Sequence, residues 1–417
     1  MKLFKQITAL FALAGILLVL FLMPYCYTPV HRICMIACVS GMFIDYFVNR
    51  HWQGWHWTPD KWIYVAFLAL YLALPLRQLW DPMHSWLIDS KLESFLAFPI
   101  IGLVGLSGYR YRMKAEYIAF TMALSCLCMG AIMARYMIGY PLTPFSDWQL
   151  QLTEMRLAHL NSHMTVNVYC NICLVCCMWV LLYSSCRKWL KGVLAVVMAG
   201  IVVSVLLSDG RIGQITMVVL FLLFAVLWFA RSGRRKWLIP VLGGLVLLGG
   251  IAWHVNPRFH EYSMHDNPRL YVWSIAKRVI QDKPVLGWGV SSAREEFINR
   301  GLNDDQFRAH YVNELEVVSR QRHGYVNYQS MHPHSMFLET WMELGLVGLT
   351  VFLACLVLPC VLAPIGVNRW FLSACLLVFC MQGLFESLGM FLNPMWLPVM
   401  TFVWACTEPP AVQCHTV

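Results

Sequence analysis

Charge is what this chain has least of. Only 13% of its 417 residues are charged, about half the share of a soluble domain, while hydrophobic residues make up 59%. Mean hydropathy is +0.59. That balance excludes a soluble globular fold, because apolar runs of roughly 17–22 residues recur, the length that crosses a hydrocarbon core about 30 Å thick. The alternating ten-residue segments of a β-barrel are missing. Acidic groups are the scarcer sign, 22 against 31 Lys and Arg for a net charge of +9. Inward-facing loops alone produce such an excess, so no nucleic-acid partner is implied. Also missing are an H-E-x-x-H pattern and an Asp cluster, the usual frames of a metal site. Cys170-Asn171-Ile172-Cys173 has C-x-x-C spacing but no second pair, and it lies in an apolar run. Most of the 16 Cys fall in such runs and read as small buried hydrophobes.

What is present is an all-α polytopic membrane protein. Spans are expected near 7–23, 31–48, 62–77, 95–107, 117–138, 164–184, 192–208, 212–230, 237–253, 341–362, 370–388 and 391–407, about twelve. The first, after Lys2 and Lys5, reads as an uncleaved span, since no small-x-small cleavage site follows. With the N-terminus inside, inner segments hold 15 Lys and Arg and short outer segments hold six. The bias places both termini in the cytoplasm. The chain then divides into a bundle of nine spans over 1–253, a polar outer insert over 254–335, three spans over 336–407, and a tail over 408–417.

The insert gathers the chemistry. It carries ten of the chain's 31 Lys and Arg and seven of its 14 His. Asn267-Pro268-Arg269 opens an expected helix through about Gln281, with Asn as N-cap and Pro at the first helical position. Arg269 opposes the helix dipole there, either as a solvated surface residue or to hold an anion with the free N–H groups. After Lys283-Pro284, the Leu286-Gly287-Trp288-Gly289 run reads as a tight turn. Ser292-Ala293-Arg294-Glu295 fits a capping box, and Asn303 to Arg322 reads as solvated. Gly287-Trp288-Gly289 is too short for a dinucleotide fold.

The insert ends in His332-Pro333-His334-Ser335. Alternate residues of an extended segment point to opposite sides, so the spacing does not aim both imidazoles at one ion. A structural role, a metal and a catalytic or phosphate-facing His334 remain open. Glu339 and Glu343 share one face of the entering helix at i, i+4, where buried carboxylates face inward to cations. On the same outer side, Arg211 sits in the tight Asp209-Gly210-Arg211-Ile212-Gly213 turn, either an anchor paired with Asp209 or the wall of a polar cavity. Lys91 and Arg156, with His332, Glu339 and Glu343, are further candidate substrate contacts.

The order of these pieces resembles the O-antigen ligase and polymerase superfamily, bacterial enzymes that handle undecaprenyl-diphosphate-linked polysaccharide. The resemblance rests on Arg211 after a small-residue turn between two spans. It continues through Asn267-Pro268-Arg269-Leu270 with Trp273, then Pro284, Gly287 and Gly289. It closes on Pro333-His334-Ser335 with Leu338-Glu339 and the Glu343-Leu344-Gly345-Leu346-Val347-Gly348-Leu349 run. These motifs lie within 205–350, and the first 200 residues match in hydropathy only. The chain departs from the family at Gly210, where Ser is frequent, and at Ser335, where Asn is frequent.

The resemblance implies catalytic roles for Arg211, Arg269 and His334 at the periplasmic face of the inner membrane. It implies transfer of a glycan from undecaprenyl diphosphate to a hydroxyl of lipid A–core or another saccharide, without a metal or cofactor. Planar guanidinium groups suit a departing diphosphate. His334 would take the hydroxyl proton or bind phosphate as imidazolium. Inversion by direct displacement is expected. A polymerase joining repeat units is the nearest rival, followed by a protein O-oligosaccharyltransferase. A flippase would show internal repeats and helices broken at the midplane. The chain has no repeat between its halves.

Overall fold

The computed structural model describes residues 2–23, 28–50, 56–80, 86–106, 113–137, 163–206, 211–232, 268–313, 331–362, 367–386 and 396–406, with a few isolated positions between them. Arg156, Asn267, the Asp209-Gly210 turn, the 408–417 tail and most of the span expected at 237–253 lie outside the described residues. Among those described the chain is all-helical. Its helices are α1 (Lys2–Leu22), α2 (Thr28–Val48), α3 (Lys61–Gln78), α4 (Trp86–Ser94), α5 (Ala97–Leu106), α6 (Ala115–Met137) and α7 (His163–Tyr183), then α8 (Lys188–Leu206), α9 (Arg211–Arg231), α10 (Pro268–Asp282), α11 (Val290–Leu302), α12 (Met336–Leu362), α13 (Val367–Phe385) and α14 (Trp396–Cys406).

Five helices are long and apolar enough to cross a membrane, with windows at Leu3–Leu22, Val166–Tyr183, Lys188–Leu206, Arg211–Phe229 and Met336–Leu362. Shorter apolar helices lie at Ile36–Val48, Ala97–Leu106, Ala115–Ala131 and Arg369–Phe385. This is a multi-pass membrane protein. Helix α7 is apolar all round and buried all round, the pattern of a central helix; Tyr169 and Trp179 on it are fully enclosed. Tyr169 Oη and Ser125 Oγ donate to the Leu20 and Phe21 carbonyls at 2.8 and 2.7 Å, satisfying carbonyls that the end of α1 leaves without helical partners. Helices α8 and α9 instead expose Trp189, Val196, Val203 and Trp228, the side chains that a lipid-facing surface requires.

The insert has a small core of its own. Val272, Ile275, Ala276 and Val279 form the expected stripe on α10 and are fully enclosed, packed with Phe297 of α11 and Met342 of α12. Two sequence expectations fail here. The Ser292 capping box does not form, because α11 starts three residues earlier, at Val290 after Gly289, whose φ is +92°. The Gly289 carbonyl accepts from Ala293 N at 2.9 Å, so glycine takes the cap position. The stretch after Asn303 is not wholly solvated either. The Asp304 carboxylate accepts from Phe307 N at 2.8 Å, and the turn it caps drives Phe307 edge-on against Phe297. Phe307 and Val312 are both fully buried.

Helix α12 covers the span expected at 341–362. It kinks at Gly345, whose φ is +67°. The turn after α10 is built into that kink. Trp288 N and Gly289 N donate to the Met342 and Glu343 carbonyls at 2.8 and 2.9 Å, while Leu346 N and Val347 N donate to Pro284 and Val285 at 2.8 and 3.2 Å. Four backbone groups of the helix are therefore paired with the turn instead of with each other. Gly287, with φ +68°, faces Gly345 at this crossing, and a Cβ on either would lie 2.2–2.5 Å from the other segment's backbone. Arg77 at the end of α3 closes the junction through Nε to Leu286 O and Nη2 to Gly287 O, at 2.9 and 2.8 Å.

Gly345→Ala should therefore lower the thermal midpoint of the detergent-purified protein sharply, through both left-handed backbone strain and collision. Gly200→Ala on α8, where an added Cβ meets nothing within 4 Å, should match or slightly exceed the parent, by up to about 1 kcal/mol. Equal melting of the two variants would contradict the backbone exchange.

Candidate functional site

The loop entering α12 and the end of α13 meet at one carboxylate. Glu386 follows the last residue of α13, and its backbone carbonyl accepts from Met336 N at 3.1 Å. That bond satisfies an amide which the first turn of α12 leaves without a helical partner. The Glu386 side chain bridges the two candidates that the sequence placed 65 residues apart. Oε1 lies 3.2 Å from Arg269 Nη2 and Oε2 lies 3.4 Å from His334 Nδ1. Helix α10 positions Arg269 by seating its apolar stripe on α12, and the Arg269 guanidinium also stands 5.8 Å from the Phe385 ring centre. Trp273, one turn along α10, packs on the same ring at 6.0 Å.

His334 has φ +48°, a left-handed conformation uncommon for any residue with a Cβ and recurrent at functional sites. It overturns the expectation that His332 and His334 point apart. Alternation holds for an extended chain, and the left-handed turn brings both imidazoles to one side, with ring centres 3.9 Å apart. His332 Nδ1 accepts from His334 N at 3.3 Å, so that nitrogen carries no proton. Poor solvation first, then the positive potential of His334 and Arg294, hold the His332 imidazole well below its usual value and neutral. Among the described residues no group of three or more His, Cys, Asp or Glu is arranged to hold a metal ion.

The other candidates separate into two groups. Lys91 on α4 is buried between Glu339 and Glu343 of α12, with Nζ 2.9 Å from Glu339 Oε1 and 2.7 Å from both Glu343 oxygens. Burial alone would lower the Lys91 ammonium, but the two carboxylates outweigh it and hold it raised. The i, i+4 pairing of the two glutamates is as expected, but all three groups are engaged with one another. They tie α4 to the half of α12 that precedes the kink. Arg211 opens α9 half-buried. The first turn of α9 is pressed onto α7, where Asn171 Nδ2 donates to Gly213 O at 3.1 Å and a Cβ on Gly213 would lie 2.7 Å from the Asn167 side chain. Helix α9 also packs along α13, the helix that ends one residue before Glu386.

Sequence reasoning missed Glu386. A lone carboxylate closing an otherwise apolar span was the available signal, since intramembrane acids are costly and face partners. Gln382, one turn earlier, is buried and its Nε2 has no hydrogen-bond partner, a penalty of about 1–3 kcal/mol.

A loop histidine, an insert arginine and a span-closing carboxylate thus converge on the segment that held the sequence motifs. Residues 196–353 match the O-antigen ligase family model. The resemblance read from the motifs is thereby shown, and the matched stretch contains Arg211, Arg269, His332, His334, Glu339 and Glu343 but ends before Glu386. A putative polysaccharide ligase of Rickettsia felis is 30% identical over 124 residues, 28% of this chain and 26% of that protein. A putative polysaccharide ligase of Rickettsia conorii is 29% identical over 124 residues, with the same shares. The alignments thus span about a quarter of those relatives' length.

A histidine held neutral gives the O-antigen-ligase-like segment a pH signature. The folded value of His332 lies below the unfolded one of about 6.5, so its contribution to stability is complete above that pH and is lost as pH falls through the folded value. Hydrogen exchange at the Met336 amide, corrected for intrinsic rates, should speed up between pH 7 and pH 5, and His332→Asn should flatten that change. A parent protein with pH-independent protection over this range would refute the assignment.

Proposed function

We propose that this chain is a glycosyltransferase of the O-antigen ligase type. It moves a glycan from undecaprenyl diphosphate to a hydroxyl of lipid A–core at the periplasmic face of the bacterial inner membrane. The observation that carries the reading is the bridge from Arg269 through Glu386 to His334, at the junction of a polar insert with membrane helices. The family match and the names of the two relatives favour ligation over polymerisation. In this reading about twelve spans surround the site, and 254–335 forms a lid over their outer end.

The chemistry follows from the groups present. The Glu386 carboxylate accepts from His334 Nδ1–H, which leaves Nε2 with the lone pair. Nε2 takes the proton of the acceptor hydroxyl as its oxygen bonds to the anomeric carbon. The bond from that carbon to the diphosphate breaks, and its electron pair stays on the phosphate oxygen. Arg269, 37% exposed at the lip, and Arg211 at the start of α9 neutralise that charge with groups that never lose their protons. Direct displacement inverts the anomeric centre. Each step uses side chains alone, so neither metal nor cofactor enters.

Arg211→Ala, Arg269→Ala and His334→Ala, each checked for membrane abundance, should reduce transfer by about 10²–10⁴-fold. Gels of surface polysaccharide should then lack polymer on lipid A–core while long polymer persists on its lipid carrier. Single capped repeats would instead mark a polymerase. Normal attachment in all three variants would sink the proposal, and retained anomeric configuration would refute direct displacement.

A further inference from the structure

Far from the histidine, the structure holds a second, apolar space. A cavity of about 740 Å³ lies between the end of α3, the turn after α10 and the kink of α12. That is within the roughly 300–1,000 Å³ of small-molecule sites. Its walls are almost entirely apolar, including Leu76, Leu286, Leu344 and Val347. Leu76, Trp80, Leu286 and Val347 are each more than half exposed, an apolar surface that water does not favour. Two cations stand on the lining, Arg77 and Lys283. Arg77 spends Nε and Nη2 on the Leu286 and Gly287 carbonyls, and its Nη1 is enclosed without a hydrogen-bond partner. Lys283 is held over the Trp288 ring at 3.8 Å. Trp80 stands beside them, and tryptophan concentrates at the level of lipid headgroups.

We propose that this groove seats the lipid anchor of the saccharide acceptor, with an acyl chain along the apolar wall and a phosphate on Arg77 and Lys283. The inference rests on the transferase reading above and adds where the acceptor is held. Charge complementarity selects an anionic lipid, and distance selects which one. Arg269 lies in the first turn of α10 and Lys283 follows its last residue, so the 15-residue helix separates them by about 20 Å. The donor's diphosphate departs at the reacting carbon and belongs with Arg269. The groove therefore suits a lipid whose phosphate is remote from its reacting hydroxyl, an acylated, phosphorylated oligosaccharide that reaches over the insert to His334.

The test is retention of three lipids by the full-length protein purified in mild detergent, read by native mass spectrometry. The probes are lipid A–core, undecaprenyl phosphate and phosphatidylglycerol. Val347→Trp fills the groove and Lys283→Glu reverses its charge, so Lys283→Glu decides the matter should Val347→Trp fail to fold. At least a tenfold loss of lipid A–core is expected in both, with undecaprenyl phosphate retained. Loss of undecaprenyl phosphate instead would make this a donor groove and overturn the proposal. Phosphatidylglycerol held equally and lost in parallel would make it a general lipid site, and unchanged retention of all three would also overturn it. Arg269→Ala and His334→Ala should keep lipid A–core. Since retention needs no turnover, failure of the transferase reading would show in the transfer assay and not here.

Discussion

Two segments of backbone complete each other's hydrogen bonds at the kink of α12, and the placement of Arg269 on α10 depends on that exchange. A membrane helix broken at Gly345 would leave carbonyls and amides without partners, each costly away from water. The turn after α10 supplies those partners in register, through Trp288 and Gly289 on one side and Pro284 and Val285 on the other. Only a residue without a Cβ fits at positions 287 and 345, where the segments cross. The insert is thus joined to the bundle by main chain, and α10 is fixed along α12. Arg269 at its far end is carried to the helix that closes the site.

Around that junction the polar groups fall into two sets with different uses. Lys91, Glu339 and Glu343 are buried, with the ammonium bonded to both carboxylates. A closed cluster of this kind adds little net stability compared with apolar packing but punishes the loss of any one member by several kcal/mol, so it suits a fixed register between α4 and α12. Glu386 differs in its surroundings. It takes one half-exposed arginine and one histidine in a strained left-handed turn, and neither is enclosed. Groups that remain open to a ligand while oriented by a shared carboxylate are what a transfer site requires.

The sequence made the membrane class legible because hydrophobic run length follows directly from bilayer thickness. It also made α10 legible, since Pro268 opens it and the Val272–Val279 stripe obeys helical spacing. It misled where long-range contacts overrule local signals. Ser292 carries good capping chemistry, but Gly289 was already held by Glu343 and began α11 first. His332 and His334 alternate only if the backbone is extended, and a positive φ at His334 removes that premise. Glu386 lies 52 residues beyond His334 with no motif between them, and the kink at Gly345 hides inside a Leu-Gly repeat that reads as uninterrupted helix.

The central claim is that Glu386 acts through His334, as the carboxylate that orients its ring. A double-mutant cycle on the transfer rate tests it most directly, using His334→Ala, Glu386→Ala and the combined variant with donor and acceptor supplied to purified protein. Residues that act as a unit are non-additive. Removing Glu386 should slow His334→Ala by far less than it slows the parent, because only the contact to Arg269 is left to the carboxylate. Losses that multiply would contradict the account and make the contact between Glu386 and His334 incidental to the reaction.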